Sequence, residues 1–339
     1  MQDFIQLGRI GAIRQLYEDC KFKPFGQKGF TASSHDRIIH ASRLLLEGID
    51  FDLVYFPLKH LGYKSVVYVT GELFASSATP ESLELKLGIS AKLDFARVRE
   101  LWQGVIAAAE EFGYKSLSLD LQPSRNGLAI SVAADGRCPA SVSRNAPKSA
   151  SKDLLCISGA LGAAYLGLRL LEKGKSDFEA GKAPASGKGS ALESNRMLVA
   201  AYLKPELPAG LPKLLKDSGI TPSASCFVDR GLADAMLRLQ RDTGLGAKVY
   251  ADRIPFEGNS FAVGKELDID PVSAAMNGGD DCRVLLAVPI AQYEKFRHDF
   301  QAFDIIGHLA QPDAGAVLVT PDGLEHPVSA PDWIQQTNL

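Results

Sequence analysis

Three carboxylates lie close together in one turn near the start of the chain: Glu47, Asp50 and Asp52. The turn follows a short apolar strand at residues 44–46 and precedes an apolar helix that starts after Pro57. A strand that ends in a carboxylate-rich turn before a helix is a common way to build a ligand site, because functional side chains concentrate on such connections. The residue types and their spacing therefore predict a ligand site at this turn.

A second acidic turn lies in the last quarter of the chain. Asp280 and Asp281 follow Gly278 and Gly279 and precede an apolar strand. Carboxylates in such a turn can bind a ligand, but they can equally well cap the turn itself by bonding to its backbone. Both interpretations stay open on the residue types alone.

Composition limits the class of protein. Of 339 residues, 46% are hydrophobic and 23% are charged, which is typical of a globular protein with a substantial core. The net charge of −3 gives no reason to expect nucleic acid or an anionic membrane surface as a partner. No apolar run approaches the ~18 residues of a membrane-spanning helix, so none is predicted.

The cysteines and the first residues indicate a cellular compartment. The first residues, MQDFIQLGRIGAIRQL, predict an amphipathic helix and lack the features of a secretion signal. The five cysteines are widely spaced and form no C-x-x-C pair. We therefore expect a reduced, cytoplasmic protein without a zinc site.

The order of predicted elements favours an α+β fold with two domains, 1–148 and 149–339. In the first half, strands alternate with helices that start near Pro57 and Asp94, which favours helices on one face of a mostly antiparallel sheet. A polar, basic stretch at 136–153 is the expected junction. Residues 174–192, rich in Gly, Lys, Ala and Ser, predict a flexible surface segment.

Several segments, taken together in one order, resemble the thiamine-monophosphate kinase family of the aminoimidazole ribonucleotide synthetase-like superfamily. The matching segments span nearly the whole chain and lie at 46–48, 51–62, 78–80, 127–132, 158–168, 203–205, 277–279 and 306–308. The resemblance implies a homodimer that joins the N-terminal sheets, and transfer of the γ-phosphoryl group of ATP to thiamine monophosphate. It also implies Mg²⁺ and ATP as cofactors, because two strongly anionic phosphates must be neutralised and aligned.

The family's metal-binding acids are missing at most matching positions. Its Gly-Asp-Asp-Ala-Ala loop falls on residues 28–32, which contain no aspartate, and acids are replaced at Arg43, Ala160 and Phe227. Three positions keep an acid and are candidate metal ligands: Asp120, Glu72 and Asp281. Glu72 has a longer side chain than the family's aspartate. For Asp120, which lies between two leucines of a predicted strand, an ordinary edge-strand aspartate is the other interpretation.

The resemblance also indicates binding residues. Arg144 and Lys148 match a basic element of the family and are candidate nucleotide or phosphate ligands, as are Arg43 and Arg230, which replace acids. Arginine can bind phosphate oxygens without metal, so a metal-free anion site is one hypothesis. The other hypothesis is that the function was lost and that these arginines are only solvated or ion-paired. Candidate substrate ligands are Trp333, which could stack on the thiamine ring or simply pack, Asp280 and Asp50.

Two functions follow from these observations. The first is a thiamine-monophosphate kinase-like enzyme with impaired or lost activity. The second is a non-catalytic pseudoenzyme that binds a phosphorylated small molecule or a regulatory partner on the same scaffold.

Overall fold

A computed structural model describes residues 36–144, 146–181 and 191–330. The α-helices are α1 (Leu58–Ala75), α2 (Phe95–Glu111), α3 (Ala140–Arg144), α4 (Ala163–Glu179), α5 (Ala191–Ser194), α6 (Arg196–Leu203), α7 (Leu211–Ser218), α8 (Leu232–Thr243), α9 (Ser260–Leu267), α10 (Pro271–Asn277) and α11 (Tyr293–Asp299). Short 3₁₀ helices lie at Ala251–Arg253, Ile290–Gln292 and Pro312–Ala314. The strands are β1 (Arg37–Leu46), β2 (Thr79–Ser90), β3 (Ser116–Ser124), β4 (Ala129–Cys138), β5 (Leu154–Ile157), β6 (Ala224–Val228), β7 (Gly246–Tyr250), β8 (Arg283–Val288), β9 (Asp304–Ala310), β10 (Ala316–Val319) and β11 (Glu325–Pro327).

The first sheet has the strand order β1–β4–β2–β3. Strand β4 pairs antiparallel with β1 and β2, whereas β3 pairs parallel with β2 at the edge. One row of the register runs from Arg43 through Val132 and Leu85 to Leu119. Side chains alternate between the two faces of a strand, and the buried residues Ile39, Ala41 and Leu45 of β1 place Arg43 on the inner face of this sheet.

The second sheet has the order β11–β10–β7–β9–β5–β8–β6. All of its pairings are antiparallel except that of β10 with β7. Strand β8 is buried almost throughout, since both of its neighbours and the elements above and below cover it. The prediction of an α+β fold with mostly antiparallel sheets agrees with this arrangement. The division into domains at residue 148 stays a prediction.

Helix α1 lies between the two sheets. It contacts β1, β4 and β2 on one side and β6 and β8 on the other, and α2 runs alongside it. Fifteen of its 18 residues are buried, because a helix that is covered on all sides has no solvent-facing stripe. Pro57 forms its N-cap, where the missing N–H leaves no helical hydrogen bond unmade.

Two glycines let α1 and α2 touch backbone to backbone. A Cβ added at Gly62 would lie 2.0 Å from the carbonyl oxygen of Leu101, and one added at Gly104 would lie 1.8 Å from that of Lys59. Helix α2 starts where the sequence predicts, since the Asp94 carboxylate accepts a hydrogen bond from the Arg97 amide at 2.9 Å. It ends before Gly113, whose positive φ of 75° suits glycine.

The prediction of a flexible segment at 174–192 was wrong for its first residues. Helix α4 continues to Glu179, and the Lys175 ammonium group lies 2.7 Å from the Asp52 carboxylate, which ties this turn of the helix to the first half of the chain. Residues 182–190 lie outside the described residues, as do the predicted helix near residue 4 and Trp333. Strand β11 has no counterpart among the predicted elements.

No helix among the described residues has the length and apolar character that a membrane span requires.

We expect Gly62→Ala to lower the free energy of unfolding by about 1–3 kcal/mol, because the added methyl group must push the two helix backbones apart. The control is Gly258→Ala, because a Cβ at Gly258 meets no atom within 4 Å. That variant should stay within about 0.5 kcal/mol of wild type in urea unfolding. Equal effects of the two variants would contradict the close helix contact.

Candidate functional site

Two neighbouring loops, one after β6 and one before β8, bring carboxylates to the side of the second sheet that contacts α1. Asp229 directly follows β6, and Asp280 lies in the turn before β8. The Asp280 amide donates a hydrogen bond to the Asp229 carbonyl oxygen at 2.7 Å, so the two loops are held together. Gly279 and Asp280 both have positive φ, 79° and 65°, which for a non-glycine residue is a costly conformation that concentrates at functional turns.

Helix α1 presents a polar stripe to these loops. Lys64, Tyr68 and Glu72 are spaced four residues apart, which places them on one face of the helix. Tyr68 donates a short hydrogen bond to Asp280 Oδ1, and the Lys64 ammonium lies 3.2 Å from Asp280 Oδ2. Both oxygens of the Asp280 carboxylate are therefore engaged by α1.

Arg43 reaches the same place from β1. One terminal nitrogen of its guanidinium lies 2.6 Å from Asp229 Oδ2, and the guanidinium carbon lies 4.7 Å from the centre of the Tyr68 ring. Burial lowers the pKa of Arg43, but attraction to Asp229, Tyr68 and Asp280 outweighs it, so the net shift is upward. Arg43 is a permanent cation here. We call Arg43, Lys64, Tyr68, Asp229 and Asp280 the central ion cluster.

Aromatic rings surround the Lys64 ammonium group. It lies 3.8 Å from the centre of the Tyr202 ring, 5.4 Å from that of Phe56 and 5.8 Å from that of Tyr68. The side chain is only 2% exposed. Aromatic faces attract cations, and the attraction grows when water is excluded. The rings and Asp280 together therefore offset the cost of burying this ammonium group.

Arg238 of α8 extends the ionic contacts along α1. Its guanidinium lies 3.2 Å from Asp229 Oδ1, 3.2 Å from the Glu72 carboxylate and 2.9 Å from Asp234 Oδ2. It also donates a short hydrogen bond to the Phe227 carbonyl oxygen. Burial lowers the pKa of Arg238, but the surrounding Cys226, Glu72 and Asp229 raise it above its ordinary value. Glu72, a candidate metal ligand, thus contacts a cation of the chain itself.

Asp281 points away from the cluster and caps helix α4. Its two oxygens accept hydrogen bonds from the amides of Gly162 at 2.7 Å and Ala164 at 3.1 Å. A carboxylate at a helix N-terminus satisfies amides that lack partners within the helix. Burial raises the pKa of Asp281 to about 6, against the lowering effect of these two hydrogen bonds. Asp281 therefore caps helix α4, and not its own turn as the structural alternative from the sequence had it.

The carboxylates of the turn at 47–52 make hydrogen bonds and ion pairs with other groups of the protein. Glu47 accepts a hydrogen bond from the Leu128 amide at 2.6 Å, and Asp52 pairs with Lys175. Asp50 accepts a hydrogen bond from the Leu46 amide at 2.8 Å. Burial raises the pKa of Asp50, while the nearby charges of Arg43 and Arg230 lower it. Asp50 therefore borders the central ion cluster, whereas Glu47 and Asp52 join structural elements.

The other predicted site residues lie in different places. Asp120 is exposed on edge strand β3, in a register row with Lys86, Ser131 and Leu44, about 14 Å across the sheet from β1 at ~4.8 Å per strand. Leu44 is 56% exposed, so this row faces away from α1. Exposed Arg144 ends α3, which begins beside the first residues of β1, and exposed Lys148 follows it. Arg230 lies at the cluster, with its Nε 3.7 Å from Asp229 Oδ2. The structure thus groups Arg43, Arg230, Asp280 and Asp50, and places Asp120, Arg144 and Lys148 elsewhere.

The carboxylates of the cluster do not fit Mg²⁺. This ion needs several carboxylate or water oxygens at about 2.0–2.1 Å. Here all four oxygens of Asp229 and Asp280 contact a cation or a hydroxyl group of the chain. Across residues 36–144, 146–181 and 191–330, no group of three or more His, Cys, Asp or Glu side chains could hold a metal ion. The assignment of Asp120, Glu72 and Asp281 as metal ligands stays a prediction.

Sequence reasoning missed Lys64, Tyr68 and Arg238. Lys64 carried a signal, because a lysine within an otherwise apolar helix must find a buried partner. Asp234 and Arg238, four residues apart on one helix, could have been recognised as an ion pair. The partner of Arg43 had no such signal, since 186 residues separate it from Asp229.

Comparisons with known proteins identify similar chains. The thiamine-monophosphate kinase of Aquifex aeolicus (strain VF5) is 20% identical over 292 residues, which covers 86% of this chain and 89% of that kinase. The solved structure of AaThiL complexed with AMPPCP and TMP has a TM-score of 0.78 at 20% identity and covers 96% of this chain and 99% of that one. The hydrogenase maturation protein HypE in complex with ATP has a TM-score of 0.62 at 15% identity, with 96% and 91% covered. No protein-family model matches the chain.

These similarities confirm the predicted fold. The chain has the α+β fold of the solved AaThiL and HypE structures, and its sequence is similar to thiamine-monophosphate kinases over most of its length. Pairing of the N-terminal sheets across a homodimer stays a prediction.

We expect Asp281→Asn to change the pH dependence of stability. A folded-state pKa of about 6 against an ordinary value of 3.8 means that ionisation of Asp281 destabilises the fold as the pH rises between these values. The difference corresponds to about 3 kcal/mol at ~1.4 kcal/mol per pH unit. Relative to wild type, the variant should therefore gain up to about 3 kcal/mol between pH 4 and pH 7, measured by urea unfolding.

The control for this measurement is Asp94→Asn, which changes an exposed N-cap. This variant removes an exposed helix-cap carboxylate, so it separates the loss of a cap from the loss of a buried charge. A flat difference for Asp281→Asn over the same range would show that its carboxylate titrates as in the unfolded chain.

We expect Lys64→Met to destabilise the fold by about 3 kcal/mol, because it leaves the Asp280 carboxylate without its cation. The double variant Lys64→Met/Asp280→Asn should recover part of this loss, giving a coupling energy above about 1 kcal/mol in a double-mutant cycle. The control is Lys173→Met, which breaks an exposed pair with Glu266 and should leave the unfolding midpoint nearly unchanged. Additive single-variant effects would contradict a direct Lys64–Asp280 interaction.

Proposed function

We propose that the chain belongs to the thiamine-monophosphate kinase family and that its phosphoryl-transfer activity is impaired or lost. The sequence similarity over 86% of the chain and the shared fold support the family. The AMPPCP and TMP bound to AaThiL, and the ATP bound to HypE, make ATP and thiamine monophosphate the ligands to test.

One observation carries the proposed loss of activity: all four oxygens of Asp229 and Asp280 contact groups of the chain itself. Phosphoryl transfer from ATP depends on metal ions that bridge phosphate oxygens and neutralise the developing charge. Carboxylates that are already ion-paired would have to lose their buried partners before they could bind a metal, and breaking such a pair is costly. Of the three matching acids, Asp281 caps helix α4, Glu72 lies 3.2 Å from Arg238, and Asp120 lies on edge strand β3, away from the cluster.

We expect no turnover above about 10⁻³ of the rates of ~1–100 s⁻¹ that are typical of kinases. The assay contains the full chain, ATP, Mg²⁺ and thiamine monophosphate, and measures thiamine diphosphate and ADP. The Aquifex aeolicus kinase, measured side by side, is the positive control. Turnover within tenfold of that kinase would refute the loss of activity while leaving the family assignment intact.

Titration calorimetry with ADP, with and without Mg²⁺, separates the two functions. Binding of ADP without turnover would favour the non-catalytic pseudoenzyme that binds a phosphorylated ligand. Binding that needs no Mg²⁺ would favour an anion site at Arg43 and Arg230. Absence of ADP binding under both conditions would exclude that anion site and leave a partner-binding role.

A further inference from the structure

In the central ion cluster, side chains of the protein itself neutralise the two carboxylates. Asp229 Oδ2 contacts Arg43 at 2.6 Å and Asp229 Oδ1 contacts Arg238 at 3.2 Å. Asp280 accepts the short hydrogen bond from Tyr68 and contacts Lys64 at 3.2 Å. Two carboxylates from adjacent loops therefore contact Arg43 of β1 and Lys64 of α1, which come from the opposite side, as well as Arg230 and Arg238 from the second half of the chain.

Arg43 and Lys64 are held so that they cannot easily leave. The Arg43 side chain is 13% exposed and lies against the Tyr68 ring. Lys64 is 2% exposed within three aromatic rings. Both cations are covalently part of the chain, so neither can dissociate from the cluster. A soluble metal ion, in contrast, exchanges with solvent and must compete with these groups.

Burial of the charged Arg43 side chain has an energetic cost. Its Nε is buried and lacks a hydrogen-bond acceptor among the described residues, which adds a desolvation cost. Removal of its charge would take from Asp229 Oδ2 the cation at 2.6 Å and leave Arg230, whose Nε lies 3.7 Å away. Asp280 and the neighbouring Asp50 would lose a nearby positive charge as well. Burying uncompensated carboxylates is strongly unfavourable, so another cation would be attracted there.

We propose that Arg43 and Lys64 are tethered cations that take the place of a divalent metal between Asp229 and Asp280. The wild-type chain binds no divalent cation at this position, and replacement of Arg43 by an acid creates a divalent-cation site there. The inference rests on the ion pairs, and it explains why Mg²⁺, which the resemblance implies, does not fit the cluster. It deepens the proposed function, because a chain with tethered cations would hold any ligand at this position without a metal bridge.

The test measures Mn²⁺ binding by electron paramagnetic resonance on the full chain, without nucleotide. Arg43→Asp places a third carboxylate beside Asp229 and Asp280 and should bind about one equivalent of Mn²⁺, with a Kd at least tenfold below that of any wild-type site. Arg43→Lys keeps a tethered cation and should behave like wild type. Circular dichroism on each variant checks that the chain is folded.

Wild type and a milder variant decide the question even if Arg43→Asp does not fold. Arg43→Gln removes the charge at similar size, and its Tm should rise in millimolar Mg²⁺ while the wild-type Tm stays unchanged. One equivalent of Mn²⁺ on wild type that Asp229→Asn abolishes would overturn the proposal. So would a folded Arg43→Asp variant that binds no Mn²⁺. Because no nucleotide or turnover enters these measurements, their failure is distinguishable from unexpected kinase activity.

Discussion

Buried charge is the constraint on which the arrangement of the two sheets depends. Arg43, Lys64 and Arg238 lie in a region where each guanidinium or ammonium group would be strongly destabilising without a partner. Each partner comes from another element: Asp229 from the loop after β6 and Asp280 from the loop before β8. The ion pairs form only when α1 and the loops of the second sheet are correctly aligned, so they select one relative position of the two halves. Whether they also increase net stability is a separate matter, because burying an ion pair has a desolvation cost of its own.

Apolar packing makes this alignment possible. A Cβ at Gly71 would lie 2.1 Å from the Phe227 ring, so α1 approaches β6 as closely as its backbone allows. On the other side, Gly62 and Gly104 let α2 approach α1. Close packing of this kind fixes side-chain positions to within a fraction of an ångström. Contacts of 2.6–3.2 Å between groups on different sheets depend on such precision.

The fold therefore does not by itself determine the chemistry at its centre. The scaffold depends on glycines, buried strands and helix caps, and none of these requires a metal. The site depends on a few carboxylates, and here their oxygens serve structural contacts to Arg43, Lys64 and Arg238 or, for Asp281, to the end of α4. A similarity in fold carries little information about activity for this reason, and the argument about function must come from the individual side chains.

The sequence by itself determined most of the elements and the family resemblance. Pro57 and Asp94 mark the starts of α1 and α2, because helix starts depend on local residues. The resemblance also predicts that acids of the family are replaced at Arg43 and Ala160, since this requires only a residue-by-residue match.

Only the tertiary structure decided what Arg43 and the carboxylates contact. Arg43 and Asp229 are 186 residues apart, and no local pattern relates them. The same holds for the 216 residues between Lys64 and Asp280 and the 117 between Ala164 and Asp281. Whether an arginine is solvated, binds a phosphate or neutralises a buried carboxylate depends on the groups that folding brings within about 3 Å of it, and that distance is set by the packing of α1 between the two sheets.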